Sequence, residues 1–212
     1  MAQQGIVALE RMGGSAAAQA VDAFRLIYAE AFAEPPYDET EEDVAAAFRR
    51  FPVQARNRTF RAALARCEDG EPVGMAYGFS LARDTGWWDE LTEPVPEDMR
   101  REDGHRTFGL MELAVRRPWR GQGIARRLHE LLLDGTGAER VLLNVHPGSK
   151  EASAAYEAWG YRKIGETRLW GESADLHDVM LLDLRDSREP WQKRRSSRAV
   201  NTSEGSSSRK PG

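Results

Sequence analysis

The chain has 212 residues, 41% hydrophobic and 30% charged, which suits a soluble globular domain with a sizeable core and argues against a disordered class. No apolar run approaches the ~18–20 residues of a membrane helix, and the single cysteine, Cys67, rules out a disulfide within the chain or a cysteine-rich zinc site. Seven basic and three acidic side chains give residues 186–212 a charge of +4, leaving −8 of the overall −4 for residues 1–185. Residues 1–185 are therefore expected to form one domain. Residues 186–212, rich in Ser, Arg and Gly, are expected to be a basic, disordered tail. A solvated tail is preferred over a nucleic-acid contact, and the acidic body favours a cationic partner through electrostatic steering. The first residues lack the basic and apolar stretches of an export signal, so a cytoplasmic location is expected.

A first strand is expected over residues 5–9. Ser15 caps a helix running to about Phe32, with Val21, Phe24, Tyr28, Ala31 and Phe32 at helical spacing. Glu34-Pro35-Pro36-Tyr37 breaks it. Thr40-Glu41-Glu42-Asp43 resembles a capping box and opens a second helix, expected to stop near Phe51-Pro52. Residues 59–66 and 73–81 read as two strands joined by a turn around Glu68–Pro72. A long polar segment, 82–106, follows; its adjacent Trp87 and Trp88 either cover the core or wall an acceptor pocket. Residues 108–115 form a buried strand, 124–133 an amphipathic helix, and 141–145 a short apolar strand. A helix follows Ser149 and closes at Gly160, and residues 162–169 and 177–184 make a closing pair of strands.

Between the strand 108–115 and the helix 124–133 lies Arg120-Gly121-Gln122-Gly123-Ile124-Ala125. The first amides of a helix have no internal partner, the dipole there favours negative charge, and glycine lets the backbone approach a phosphate. This is an anion-site pattern, with Arg120 as a cation at its rim. A Walker loop would need a Lys-Ser/Thr pair that is not present. A dinucleotide fingerprint would need a third small residue where Arg126 stands. The pattern [RQ]-x-x-G-x-[GA] is filled completely by Arg120, Gly123 and Ala125. Downstream, Ala152, Tyr156, Gly160 and Tyr161 fit N-x-x-A-x-x-x-Y-x-x-x-G-[FY], with Ser149 in place of the usual Asn. With these two motifs in this order, the chain resembles the GNAT superfamily of acetyl-CoA-dependent N-acetyltransferases.

The resemblance implies an α/β fold of GNAT type: a mixed, twisted central sheet of about six or seven strands with helices on both faces. It implies that the strands of 112–115 and 141–145 run parallel and splay apart, and that acetyl-CoA, the co-substrate, enters the notch. The amides around Arg120, Gly121, Gln122, Gly123, Ile124 and Ala125 would hold its diphosphate. The backbone of Leu113, Ala114 and Val115 would pair with its pantetheine arm, with Ser149 as a further contact. The activity implied is acetyl transfer to a primary amine, on a small molecule or a protein, without a metal. Glu112, a carboxylate in an apolar strand, is the candidate base; the competing role is an ion pair with an arginine. Asp84, Glu102, Asp103 and His105 are other candidates. Tyr156, whose phenol pKa of ~10 is close to the ~8.5 of a thiol, is the candidate acid, against the alternative of a core aromatic. A backbone N–H near Val115 would serve the developing oxyanion.

His129 is expected at the surface, His146 in a turn and His177 at a strand start, none with metal-ligand spacing. Cys67 is read as packing. The helices around 28–51 and the segment 82–106 are expected to form the acceptor site, whose substrate is not legible. A homodimer is compatible with this reading but not specified by any residue. Two other functions fit some of the pattern: a non-catalytic CoA-binding regulatory module and a dinucleotide-binding oxidoreductase.

Overall fold

In the computed structural model, which describes residues 7–168 and 176–185, seven strands join in one sheet. They are β1 (Val7–Met12), β2 (Arg61–Cys67), β3 (Pro72–Ser80), β4 (Thr107–Val115), β5 (Arg140–Val145), β6 (Arg162–Arg168) and β7 (Leu176–Asp183), in the spatial order β1-β2-β3-β4-β5-β7-β6. The β4–β5 pair is parallel and the other neighbours are antiparallel. The helices are α1 (Gly14–Gln19), α2 (Val21–Phe32), α3 (Glu41–Gln54), α4 (Glu97–Arg100), α5 (Ile124–Leu133) and α6 (Lys150–Ala158). Residues 5, 6 and 169, expected in strands, and the tail 186–212 lie outside the described residues.

Strand alternation divides the core between the two faces of the sheet. On one face Ala63, Ala65, Val73, Phe108, Leu110, Val141 and Leu143 lie under Ile124, Leu128 and Leu132 of α5 and Tyr156 of α6. On the other, Ala62, Leu64, Met75, Tyr77 and Ala114 lie under Phe24, Ile27 and Tyr28 of α2 and Val44 and Phe51 of α3. Helices thus cover both faces of a mixed sheet, as the sequence leads one to expect. Fully burying each of the Val, Leu, Ile, Phe and Met side chains among them contributes about 1.5–3 kcal/mol.

Four local expectations need correction. The helix expected from Ser15 to Phe32 is broken at Ala20 (φ −96°, ψ 15°) into α1 and α2. The small side chains of GSAAAQA let α1 lie with Gly14 against the carbonyl of Ala55, while α2 takes its own direction over the sheet. Helix α3 runs through Pro52 to Gln54 rather than stopping before it. Its last turn is anchored by Phe51, buried against Phe24 (5.3 Å between ring centroids) and Tyr77 (5.1 Å), which outweighs the one hydrogen bond a proline removes. At its start the Thr40–Asp43 capping box is present. Segment 82–106 is not plain loop: it holds a 3-10 turn at Trp87–Glu90, then α4, and a bridge from Leu91 to Thr167 beside β6.

The fourth correction concerns His129, which is buried instead of facing solvent. Its Nε2 lies 2.7 Å from the Tyr161 hydroxyl and its ring 5.0 Å from that of Trp159. The turn after α6 folds back over α5 and covers a flank that helical spacing alone reads as polar. Burial, aided by nearby Arg126, pushes the His129 pKa down to about 4.

Candidate active site

β4 and β5 pair over three positions only, Thr107↔Arg140, Phe108↔Val141 and Gly109↔Leu142. Beyond them the strands diverge and open a notch in the middle of the sheet. On its β4 side the ladder to β3 carries a bulge: Tyr77 pairs with Glu112 and Gly78 with Leu110, leaving Met111 as the extra residue. Gly78 is required opposite this bulge, since a Cβ there would stand 2.2 Å from the Gly109 carbonyl oxygen. The Arg116 amide donates to the Val73 carbonyl, so by antiparallel alternation the amides and carbonyls of Leu113 and Val115 point away from β3, toward the notch. The Val115 carbonyl is used by Arg120 Nε at 2.9 Å.

The glycine turn stands at the end of this notch. Gly121 (φ 75°) and Gly123 (φ 72°) are both left-handed, a conformation that glycine adopts without a Cβ penalty. No heavy atom lies within 4 Å of where a Cβ would stand at either, so their outer surface is open. The first backbone bond into α5 runs from the Arg127 amide to the Gly123 carbonyl, so the amides of Ile124, Ala125 and Arg126 precede the helical ladder. Arg120 is turned inward: its Nη1 donates to Glu34 Oε2 at 2.6 Å, and Arg117 approaches the other oxygen of Glu34 at 3.5 Å. The turn is thereby tied to the segment between α2 and α3.

Glu112, the register partner of Tyr77, lies on the face of the sheet that α2 and α3 cover with their aromatic cluster. Among the described residues it forms no ion pair with an arginine. Burial first, and the neighbouring Glu39 carboxylate second, push its pKa up to about 8, against a smaller opposing effect of Arg50. The phenols of Tyr28 and Tyr77 are raised by burial and by the same Glu112 charge.

Tyr156 projects from α6 on the same helical face as Ser149 and Ser153. Its phenol is buried and its pKa raised, by desolvation first, then by Tyr37 and Glu112. Ser149 precedes the helix as expected but its side chain makes no capping bond. The hydroxyls of Ser149 and Ser153 and the carbonyl oxygen of the Asn144 side chain are buried without hydrogen-bond partners. Ser149 sits close enough to Tyr37 to favour its ionised form, yet outside bonding geometry. Had the β4–β5 pairing continued, Asn144 would stand opposite the bulge. Three orphaned polar atoms beside an open notch match a long, amide-bearing ligand, and the unladdered amides of α5 match its anionic end. The residues present therefore fit coenzyme A.

The other candidates are structural or exposed. Glu102 Oε1 accepts from Arg140 Nη2 (2.8 Å), Thr107 Oγ1 (2.7 Å) and Trp88 Nε1 (3.1 Å) in a buried network. Asp103 accepts from the amides of His105 and Arg106, and Asp84 and His105 are exposed. Trp88 is buried and Trp87 packs on the same small cluster with Leu81 and Leu142, so the pair covers core. Cys67 packs partly buried against the core. Sequence reasoning missed Tyr37, Glu39, Asn144 and Ser153. The available signal was an aromatic and an acid directly after Pro35-Pro36, and polar residues inside otherwise apolar elements.

No curated protein matches the chain by sequence. Solved structures superpose on it at low identity. Nourseothricin acetyltransferase is 19% identical over 60% of this chain and 66% of that one, with a TM-score of 0.46, so the chain spans about two thirds of it. The ribosomal-protein-S18-alanine N-acetyltransferase from Escherichia coli is 17% identical over 84% of this chain and 94% of that one, TM-score 0.54. The PaiA N-acetyltransferase from Thermoplasma acidophilum, solved with coenzyme A, is 11% identical over 84% and 99%, TM-score 0.56. Residues 21–161, which contain both motifs, the bulged strand and the notch, match the family described as Acetyltransferase (GNAT) family. The chain belongs to the GNAT acetyltransferase family.

Proposed function

We propose that this protein moves an acetyl group from acetyl-CoA to a primary amine by direct transfer, within a domain spanning residues 1–185. One observation carries the reading: a carboxylate with raised proton affinity, Glu112, stands on the strand that ends at an open, left-handed glycine turn. The amides of Ile124, Ala125 and Arg126 take the diphosphate, with Gly121, Gln122 and Gly123 shaping the approach. Leu113 and Val115 offer backbone groups to the pantetheine arm, along with Ser149, Ser153 and Asn144. Acetyl-CoA supplies the activated acyl carbon.

Glu112 takes the proton from the amine. Passing a proton from an alkylammonium to a carboxylate of pKa 4.5 is uphill by about 8 kcal/mol, whereas at about 8 the cost falls to about 3 kcal/mol. The Val115 amide, facing the notch, donates to the oxyanion. Tyr156 is the group placed to donate a proton to the departing thiolate; burial keeps it protonated, and by raising its pKa also makes it a weaker acid than the near match with a thiol expected from the sequence. Among the described residues no cluster of potential metal ligands occurs, and no step in this scheme calls for one.

The acceptor is a primary amine on a small molecule or a protein. One structure of similar fold is named for the alanine of a ribosomal protein. The test is release of free thiol from acetyl-CoA with a panel of amines, together with detection of the N-acetyl product. Thiol release that depends on amine supports the reading. Tight acetyl-CoA binding with no transfer to any amine would instead favour a regulatory module.

A further inference from the structure

Between α2 and α3 a carboxylate meets a set of half-open aromatic rings. Glu39 Oε1 accepts from the Tyr28 hydroxyl at 2.8 Å, while Oε2 is buried without a hydrogen-bond partner among the described residues. The Glu39 amide donates to the Phe32 carbonyl at 2.9 Å, which fixes the residue at the end of α2. The Tyr28 ring lies 4.4 Å from that of Phe32 and 5.5 Å from that of Phe48, and Phe32 in turn lies 4.8 Å from Tyr37. Phe32, Tyr37 and Phe48 are only half-buried. Such an arrangement costs twice, once in apolar surface left open and once in a desolvated oxygen without a donor. One kind of group answers both. An ammonium on an apolar stem brings N–H donors to the oxygen, and sets its charge and methylenes against the rings. The exposed Arg50 guanidinium and Asp43 carboxylate are the other charges that act on Glu39.

We propose that Glu39, with the rings of Tyr28, Phe32, Tyr37 and Phe48, forms a subsite for a cationic group of the acceptor other than the nitrogen that is acetylated. A carboxylate bound to the reacting nitrogen would hold its proton in place and oppose attack, so the subsite serves a second charge. Ring contacts lead from it to the strand of the candidate base. Phe48 stands 5.6 Å from Phe51, Phe51 stands 5.1 Å from Tyr77, and Tyr77 is the register partner of Glu112. An α,ω-diamine has the chemistry required: one ammonium for Glu39, an apolar stem for the rings and a second nitrogen for transfer. The acidic body of residues 1–185 favours the approach of such a dication.

The role in turnover rests on the acetyl-transfer reading, but the binding of a cation does not. The test has two arms, both on the full chain. In calorimetry without acetyl-CoA, α,ω-diaminoalkanes of three to six carbons are compared with the monoamines of the same length. At least one diamine is expected to bind about tenfold tighter than its monoamine, and Glu39→Gln, which keeps the side chain's shape, to abolish that preference. In turnover, kcat/KM for that diamine should exceed the monoamine's by about tenfold. In Glu39→Gln the ratio should fall to about the twofold that two equivalent nitrogens give, with acetyl-CoA affinity within about twofold of the parent. Should Glu39→Gln fail to fold, Phe48→Leu keeps an apolar side chain but removes a ring, and should cut the preference by about threefold. Diamines bound no tighter than monoamines, or a preference that survives in the folded variant, overturns the proposal. Glu39-dependent diamine binding without acetylation of any amine would uphold the subsite and refute the transferase reading. Acetylation of amines with no preference for a second charge would do the reverse.

Discussion

Arg120 donates to Glu34 at 2.6 Å, and this contact ties the glycine turn to the segment that carries Tyr37 and Glu39. The glycine turn proposed as the anion site is thus tied to the segment between α2 and α3. Glu34 also places a negative charge beside the turn proposed to hold a diphosphate. Glu34→Gln should therefore tighten acetyl-CoA binding by about twofold to fivefold, the scale of a partly exposed ion pair, and raise KM for the amine. Calorimetry and steady-state kinetics read the two effects separately.

Glu112→Gln should lower kcat by about 10²- to 10⁴-fold with little change in acetyl-CoA affinity. In the unaltered protein kcat/KM should climb with pH up to about 8, because only the deprotonated carboxylate can accept a proton. The same shift has a cost in stability. A carboxyl raised from 4.5 to about 8 on folding destabilises the protein progressively as pH rises through that window. Glu112→Gln should thus be more stable than the parent at pH 8, by a few kcal/mol, and nearly equal at pH 4.5, as denaturant titrations at both pH values would reveal.

Tyr156→Phe keeps the ring that packs against Trp159 and Tyr161 and removes only the hydroxyl. Turnover is expected to fall about 10²-fold, with acetyl-CoA affinity within about twofold. Full activity in this variant, measured by thiol release, would remove Tyr156 from the mechanism.

Gly123→Val forces a β-branched residue into a left-handed conformation, at a cost of about 1–3 kcal/mol. No neighbour blocks the new side chain, so the core should stay folded while the turn is displaced. Acetyl-CoA affinity should drop by tenfold or more in calorimetry, with a smaller loss for Gly123→Ala.

His129 gives a pH dependence far from the active site. It is buried and neutral in the folded chain with a pKa of about 4, against about 6.5 unfolded, so the unfolded state binds more protons between these values. Stability should be undiminished above pH 6.5 and fall by about 3 kcal/mol as pH drops to 4, and His129→Gln should flatten that slope in thermal melts.

The central strand–turn–helix was legible because its signals are local. Apolar periodicity marked β4 and α5, and the two left-handed positions needed glycine wherever the chain went next. The order of elements and the stripe of Tyr156 on α6 followed from the same spacing. What escaped depends on contacts between distant segments. The break at Ala20 arises from two separate surfaces for α1 and α2, and His129 is covered by a turn thirty residues downstream. Pro52 is carried inside α3 because Phe51 is held by Phe24 of α2, Tyr77 of β3 and Phe60 just before β2. Glu39 and Tyr37 looked like ordinary loop residues until the fold set Glu39 against Tyr28 and Tyr37 against Phe32 and His146, contacts that no spacing rule encodes.

The most direct test combines the protein, acetyl-CoA and an alkylamine, and counts free thiol and N-acetyl product over time. The account predicts the two in equal amounts, a rate rising toward pH 8, and loss of both with Glu112→Gln. Thiol release no faster than spontaneous hydrolysis, with any amine and at any pH, would contradict it.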